Sequence, residues 1–272
     1  MIPRTNILGV GVSAINMDLA TRVIEEWIAS REQNYVCVTT VNNIVESQRD
    51  LELRRVHNRA GMVTPDGMPL VWLSRWKGAK HVSRVYGPDL MLAMCAISAQ
   101  KGYRNYLYGG AEGVCQKLAE RLEARFPGLV IVGMDTPPFR PLTEVEDREA
   151  VDKINACKPD IVWIGLGNPK QERWMSDHLG KIEAPVMIGV GAAFDFHAGV
   201  KKQAPRWMQR SGLEWVFRLA SEPKRLWKRY LINNPRFVWM VLLQSLGLRR
   251  YDLDESALPN GSELPQDRDT QR

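Results

Sequence analysis

Cysteine and histidine are scarce in this 272-residue chain, and neither is clustered. Cys37, Cys95, Cys115 and Cys157 form no Cys-x-x-Cys pair, and no Cys/His group has zinc spacing, which excludes a disulfide framework and a structural zinc site and predicts a reducing compartment. The four histidines, His57, His81, His178 and His197, likewise show no ligand spacing; His197 alone follows a glycine turn. Neither the dinucleotide fingerprint Gly-x-Gly-x-x-Gly nor a Walker loop occurs. A membrane-spanning run is missing as well. The stretch RFVWMVLLQSLGLRRY (236–251) has twelve uncharged residues, Phe237 to Leu248. At roughly 1.5 Å per helical residue these reach about 18 Å, well short of the ~30 Å hydrocarbon core. The opening residues, MIPRTNILGVGVSAIN, are too weakly apolar for a signal sequence, because Asn6, Ser13, Asn16 and Asp18 interrupt them. The chain therefore reads as cytoplasmic.

What is present is ordinary in amount and unusual in distribution. With 44% hydrophobic and 25% charged residues the composition is that of a globular protein. The net charge of +6, however, is segregated. Residues 201–250 hold twelve Lys/Arg against two Asp/Glu, residues 251–272 hold two against six, and the first 200 balance at 23 of each sign. Such a basic block suits nucleic acid, anionic lipid or phosphorylated substrates. Tryptophan decides between them: Trp207, Trp215, Trp227 and Trp239, four of the nine, fall in the same block. Aromatic rings interleaved with cations suit a lipid headgroup region, so a membrane surface is expected and nucleic acid is not. The expected organisation is a core over 1–200, a basic, Trp-rich helical appendage over 201–250, and an acidic, disordered tail over 251–272.

Along the first 200 residues strands alternate with helices. YVCVTTV (35–41) leads into the helical pattern NNIVESQRDLELRRVHNRA; NYLYGG (105–110) leads into AEGVCQKLAERLEARFPG, where Val114, Leu118 and Leu122 fall four apart. GLVIVGM, DIVWIGLG and APVMIGVG are further strands, with helices over EVEDREAVDKINACKP and PKQERWMSDHL. This alternation predicts an α/β fold with a parallel sheet, Rossmann-like, whose ligands sit at the carboxyl ends of the strands.

Glycine turns occur where that rule places ligands. Gly165 and Gly167 follow one strand and precede a helix opened by Pro169; Gly109 and Gly110 follow another. Each is also what a plain strand-to-helix turn requires, but several in one sheet favour a nucleotide's phosphates. TPDGMP (64–69) is a good β-turn by composition and also offers a carboxylate, Asp66. Thr40 and Asn42 end a strand, where they serve either as helix caps or as pocket groups, and RVYGPD supplies Arg84.

Taken together, TVNN, TPDG, RVYGPDLM, YLYGG, PDIVWIGLGNPKQE, VGAAFDFHAG and APRWMQRSGLEWVFRL resemble the bacterial glycosyltransferases of the WecG/TagA/CpsF type, which include N-acetylmannosaminyltransferases of teichoic acid synthesis. The resemblance spans about residues 5–245. It implies a Rossmann-like core with a C-terminal membrane-associating appendage, peripheral on the inner face of the plasma membrane. It also implies inverting transfer of a sugar from a UDP-sugar to a polyprenyl-diphosphate-linked saccharide, with no metal or other cofactor, and a homo-oligomer is compatible with it. On the matching positions, Asp66 is the general base with Arg84 beside it. Thr40, Asn42 and Gln171 line the sugar pocket and Asp195 lies near the nucleotide, where the turns of Gly109, Gly110, Gly165 and Gly167 already point. Arg218, Arg225 and a cation at Lys228 or Arg229 neutralise diphosphate. The residue types suit that chemistry on their own terms, since one carboxylate takes the acceptor's proton and helix N-termini and arginines stabilise the leaving charge. Arg218, Arg225 and Arg229 share a face if one helix carries them, and Pro223 interrupts it. The Asp-x-Asp pairs at Asp252/Asp254 and Asp267/Asp269 read as solvated tail. Two alternatives are an NAD-dependent dehydrogenase, disfavoured by the missing glycine fingerprint and strand-end acid, and a non-catalytic membrane adaptor.

Overall fold

The computed structural model describes residues 2–253, so most of the expected acidic tail, including Asp254, Asp267 and Asp269, lies outside the described residues. Eight strands form among them: β1 (Arg4–Ile7), β2 (Val10–Ser13), β3 (Asn34–Thr39), β4 (Met62–Pro65), β5 (Arg104–Gly109), β6 (Val130–Asp135), β7 (Ile161–Gly165) and β8 (Val186–Gly189). The chain is α/β with a six-stranded sheet, and its residues cluster into two compact units.

One unit comprises residues 17–38 and 85–203. Its strands run in the order β3-β8-β7-β5-β6, every neighbouring pair parallel. β7 and β8 are apolar on both faces because helices cover both, and Trp163 in the middle of β7 is fully enclosed, its indole N–H donating to Asn105 Oδ1 at 2.9 Å. The helix Val114–Arg125 buries Val114, Leu118 and Leu122, the residues whose spacing predicts it. Thr143 and Glu146 close a reciprocal cap on the helix Glu144–Ala156, the Glu146 carboxylate accepting from the Thr143 N–H at 2.9 Å. From β5 the chain steps out to β6, then returns past β5 to β7 and β8. The strand order thus reverses between β5 and β7, the position at which open α/β sheets leave a crevice at their carboxyl ends.

The other unit gathers residues 2–16, 39–84 and 204–253. It opens with an antiparallel β1–β2 hairpin that hydrophobic patterning alone does not reveal. Its turn rests on Leu8 and Gly9, both at positive φ (52° and 78°), which only the glycine adopts without strain. The Arg4 side chain is buried beneath it and donates to the carbonyls of Asn58 (3.2 Å), Ala60 and Gly61 (3.2 Å); the Asn58 amide bonds the hairpin through Gly9 O and the Gly11 N–H. The continuous helix expected after β3 is two helices, Val41–Glu46 and Leu51–Arg59. Asp50 caps the second by accepting from the Leu53 N–H at 3.0 Å, and so starts a new helix within the apolar pattern.

The C-terminal segment is a run of short helices, Arg206–Arg210, Glu214–Ser221 and Pro223–Trp227, then one π-turn, Lys228–Ile232, and the helix Asn233–Ser245. Pro223 sits at the first helical position, where its missing N–H costs nothing, and the preceding helix ends at Ser221. Phe237 and Met240 turn inward on the last helix, while Val238, Trp239 and Leu242 face outward. Among the described residues no helix is long and apolar enough to cross a membrane.

Candidate active site

β4 ends at Pro65, and the next residue is turned by two backbone bonds: the Asp66 N–H donates to the carbonyls of Thr39 and Thr64, each at 3.0 Å. Gly67 then precedes the helix Met68–Trp76, with Pro69 in its first turn. The Pro-Asp-Gly turn and a carboxylate at a strand end are therefore one structure. Arg84 lies against it, donating from Nε to the Asp66 carbonyl and from Nη2 to Asp66 Oδ1 at 2.9 Å, while the same Nη2 lies 2.6 Å from Glu214 Oε2. All three side chains are largely enclosed. Burial pushes the Asp66 carboxyl up to about 6, against Arg84 and Arg218, which pull it down, and with Glu214, which adds to the rise.

These groups form part of the lining of a cavity of about 690 Å³ that lies wholly within this unit. Thr40 and Asn42 line it too. Thr40 precedes the helix Val41–Glu46 and its hydroxyl bonds Asn43 Oδ1 at 2.6 Å; Asn42 is buried and its Oδ1 accepts from Asn233 Nδ2 at 2.8 Å. Arg218 and Arg229 reach the same space from the C-terminal segment. Arg229 Nη2 approaches Thr40 Oγ1 at 3.4 Å, and its enclosed Nε has no hydrogen-bond partner among the described residues. Burial lowers the proton affinity of Arg229, and Arg218 and Arg225 nearby lower it further, so the site favours an arriving anion. The remaining wall is apolar, with Trp72, Leu73, Trp76, Leu213, Phe237 and Val238 among its residues.

Other expected site residues stand elsewhere. Arg225 is exposed and paired with Glu222 (2.6 Å), and Lys228 lies over the Trp227 ring; neither lines the cavity. Gln171, Asp195 and the glycines belong to the sheet unit. Gly109 and Gly165 end β5 and β7 at the strand-order reversal, and a Cβ on Gly109 would lie 2.6 Å from the Gly165 carbonyl carbon. Gly109 must be small for this backbone approach, whereas a Cβ on Gly165 would run into the Phe194 ring at 2.7 Å. Gly110 donates to Gly165 O at 3.0 Å, and Gly167 (φ 76°) has open space around it. Gln171 is buried, with Nε2 3.3 Å from Glu172 Oε1 and no partner for its Oε1 among the described residues. Asp195 pairs with Lys201 at 2.9 Å. His197, half-buried and bonded to Pro88 O at 2.9 Å, is a packing residue.

Sequence reasoning passes over Glu214, Asn233, Trp72 and Trp76. A signal for Glu214 exists, since it is one of only two acids among residues 201–250, and Trp72 and Trp76 stand one helical turn apart directly after TPDG.

Comparison with known proteins gives this constellation its context. The chain is 33% identical over 197 residues to an N-acetylglucosaminyldiphosphoundecaprenol N-acetyl-beta-D-mannosaminyltransferase of Bacillus spizizenii, covering 72% of this chain and 74% of that protein. Proteins of the same name are 31% identical over 208 residues in Bacillus subtilis (75% and 78% covered) and 28% identical over 243 residues in Staphylococcus aureus (88% and 92%). The profile of the Glycosyl transferase WecG/TagA/CpsF family matches residues 5–251, a span that includes the strand-end carboxylate, its arginine and the C-terminal segment, and the chain belongs to that family.

Proposed function

We propose that this glycosyltransferase moves an N-acetylmannosaminyl or related sugar from a UDP-sugar to a saccharide carried on polyprenyl diphosphate, with inversion and without a metal. The dehydrogenase and adaptor alternatives fall with the family membership. The observation that carries the reading is the cavity itself. A carboxylate, its arginine and an enclosed cation occupy the polar side, and tryptophan and aliphatic side chains the other. That is the chemistry of an amphiphile with an anionic head, and the names of the relatives specify such an acceptor, an undecaprenol diphosphate bearing N-acetylglucosamine.

In this reading Asp66 takes the proton of the acceptor hydroxyl as that oxygen bonds to the anomeric carbon. The bond from that carbon to the diphosphate breaks, and its electron pair leaves on UDP. Arg84 orients Asp66, and Thr40 and Asn42 offer hydrogen bonds to sugar. Arg218 and Arg229 meet diphosphate charge, with Arg225 and Lys228 as further cations of the segment. Gln171, with Gly109, Gly110, Gly165, Gly167 and Asp195, is assigned to the donor; the strand-order reversal beside the glycines supports that assignment. Residues 201–250 act as the appendage that holds the protein on the anionic inner face of the plasma membrane. Its outward Trp207, Trp227, Trp239 and Leu242 support this role.

The test is transfer from UDP-N-acetylhexosamines to a short-chain prenyl diphosphate saccharide. Asp66→Asn is expected to lose at least ~100-fold in turnover while binding UDP as before. Because Asp66 works as the carboxylate and its proton affinity is raised to about 6, kcat/KM should fall as pH drops through that value. Wild-type turnover by Asp66→Asn would overturn the assignment.

A further inference from the structure

Glu214 and Glu222 are the two acids among the twelve cations of residues 201–250, and they are placed differently. Glu222 makes an exposed pair with Arg225, of the kind that contributes little. Glu214, the first residue of the helix Glu214–Ser221, is turned into the cavity. There it shares one nitrogen of Arg84 with Asp66, at 2.6 Å and 2.9 Å. An arginine facing Asp66 alone would form a one-to-one ion pair, which holds a carboxylate ionised and blunts its basicity. Dividing the guanidinium between two carboxylates weakens that hold and fixes the arginine from both sides.

The groups facing Asp66 come from several elements. Arg84 stands in the loop before the helix Gly87–Lys101, and Glu214 and Arg218 on the helix Glu214–Ser221. Arg229 and Tyr230 line the same cavity from the π-turn, and Thr40 and Asn42, uncharged, from the end of β3 onward. Among these, Glu214 is the one group whose negative charge adds to what burial does to Asp66, whereas Arg84 and Arg218 oppose it.

We propose that Glu214 is a positioning residue for the transfer: it holds Arg84 beside Asp66 while taking part of the guanidinium's charge, and so leaves Asp66 able to accept the acceptor's proton. The inference rests on Asp66 being the base. It also makes the C-terminal segment, which supplies Glu214, a contributor to base strength as well as a source of cations.

Glu214→Gln keeps the shape and a hydrogen-bond acceptor while removing the charge. The acidic limb of its kcat/KM profile should move down by roughly half to one pH unit. Its plateau rate should drop about three- to tenfold as the base weakens. Melting temperature and UDP affinity should stay at wild-type values. The ¹³C shift of the Asp66 carboxyl, followed by NMR with pH, should report the same downward move without any turnover. Glu214→Asp keeps the charge, so its limb should stay at the wild-type pH with a lower rate; this variant carries the test if Glu214→Gln does not fold. A limb and a carboxyl titration unchanged in Glu214→Gln, or displaced equally in Glu214→Asp, overturn the proposal. Failure of the base assignment has a different signature, wild-type turnover by Asp66→Asn, whereas an inactive Asp66→Asn with an unaltered Glu214→Gln profile removes Glu214 alone.

Discussion

The two units treat tryptophan in opposite ways. In the sheet unit Trp27, Trp163 and Trp174 are all buried, and Trp174 stacks between Tyr108 and His178 at 4.7 and 4.1 Å. In the other unit Trp72, Trp76, Trp207, Trp227 and Trp239 are exposed, Trp76 to 68%. The same side chain thus fills a core in one unit and faces outward in the other. The exposed tryptophans share a unit with the enclosed Arg4, Asp66, Arg84 and Arg229. That unit encloses several charges while leaving aromatic surface uncovered. The sheet unit keeps its tryptophans inside.

The largest effect that would break this contrast is in the core. Trp163→Ala should destabilise the protein by about 3–5 kcal/mol, measured by chemical denaturation, because it opens a large cavity and strands the Asn105 carbonyl that its indole bonds. A smaller loss would mean that the sheet unit is packed less tightly than its burial indicates. Next comes Arg229→Met, which removes the enclosed cation while keeping an unbranched apolar stem. It should raise the KM for the lipid-linked acceptor roughly tenfold or more, the scale of a charged hydrogen bond, and should stabilise rather than weaken the fold. Smaller again is Trp72→Ala with Trp76→Ala. These exposed rings should leave the melting temperature where it was, yet weaken binding of the prenyl acceptor roughly two- to fivefold, corresponding to about 0.5–1 kcal/mol of lost apolar burial. A drop in melting temperature with unchanged acceptor binding would make them ordinary packing residues. The smallest expected effect is none at all: excess EDTA should leave transfer intact, and a loss restored by Mg²⁺ would show that arginines alone do not carry the leaving charge.

Local patterns announced most of the sheet unit. Val114, Leu118 and Leu122 fall four apart and make one helix face; the unbroken apolar run of β7 marks a strand covered on both sides; Thr143 with Glu146 marks a helix start. Each is a short-range consequence of backbone geometry, so a linear reading suffices. The β1–β2 hairpin escaped such a reading because its turn is Leu8-Gly9 instead of an Asn-Gly pair. The break between Glu46 and Leu51 was hidden because apolar spacing runs through it, although Asp50 caps the second helix.

Site residues divide along the same line. Asp66, Arg84, Thr40 and Asn42 stand at strand and helix ends, where motifs point to them, and Arg218 and Arg229 stand out as cations in a basic block. Their convergence on one cavity is not written in any local pattern, because residues 39–84 and 204–253 meet only through tertiary packing. Arg225 and Lys228 share that basic block and yet line no part of the cavity, since Pro223 and the π-turn reset the helical phase between Arg218 and Arg229. Composition therefore determined that a cationic, tryptophan-bearing segment exists. Only the folded chain decided which of its charges turn inward, because burial of a charge depends on the partners and enclosure that distant residues supply.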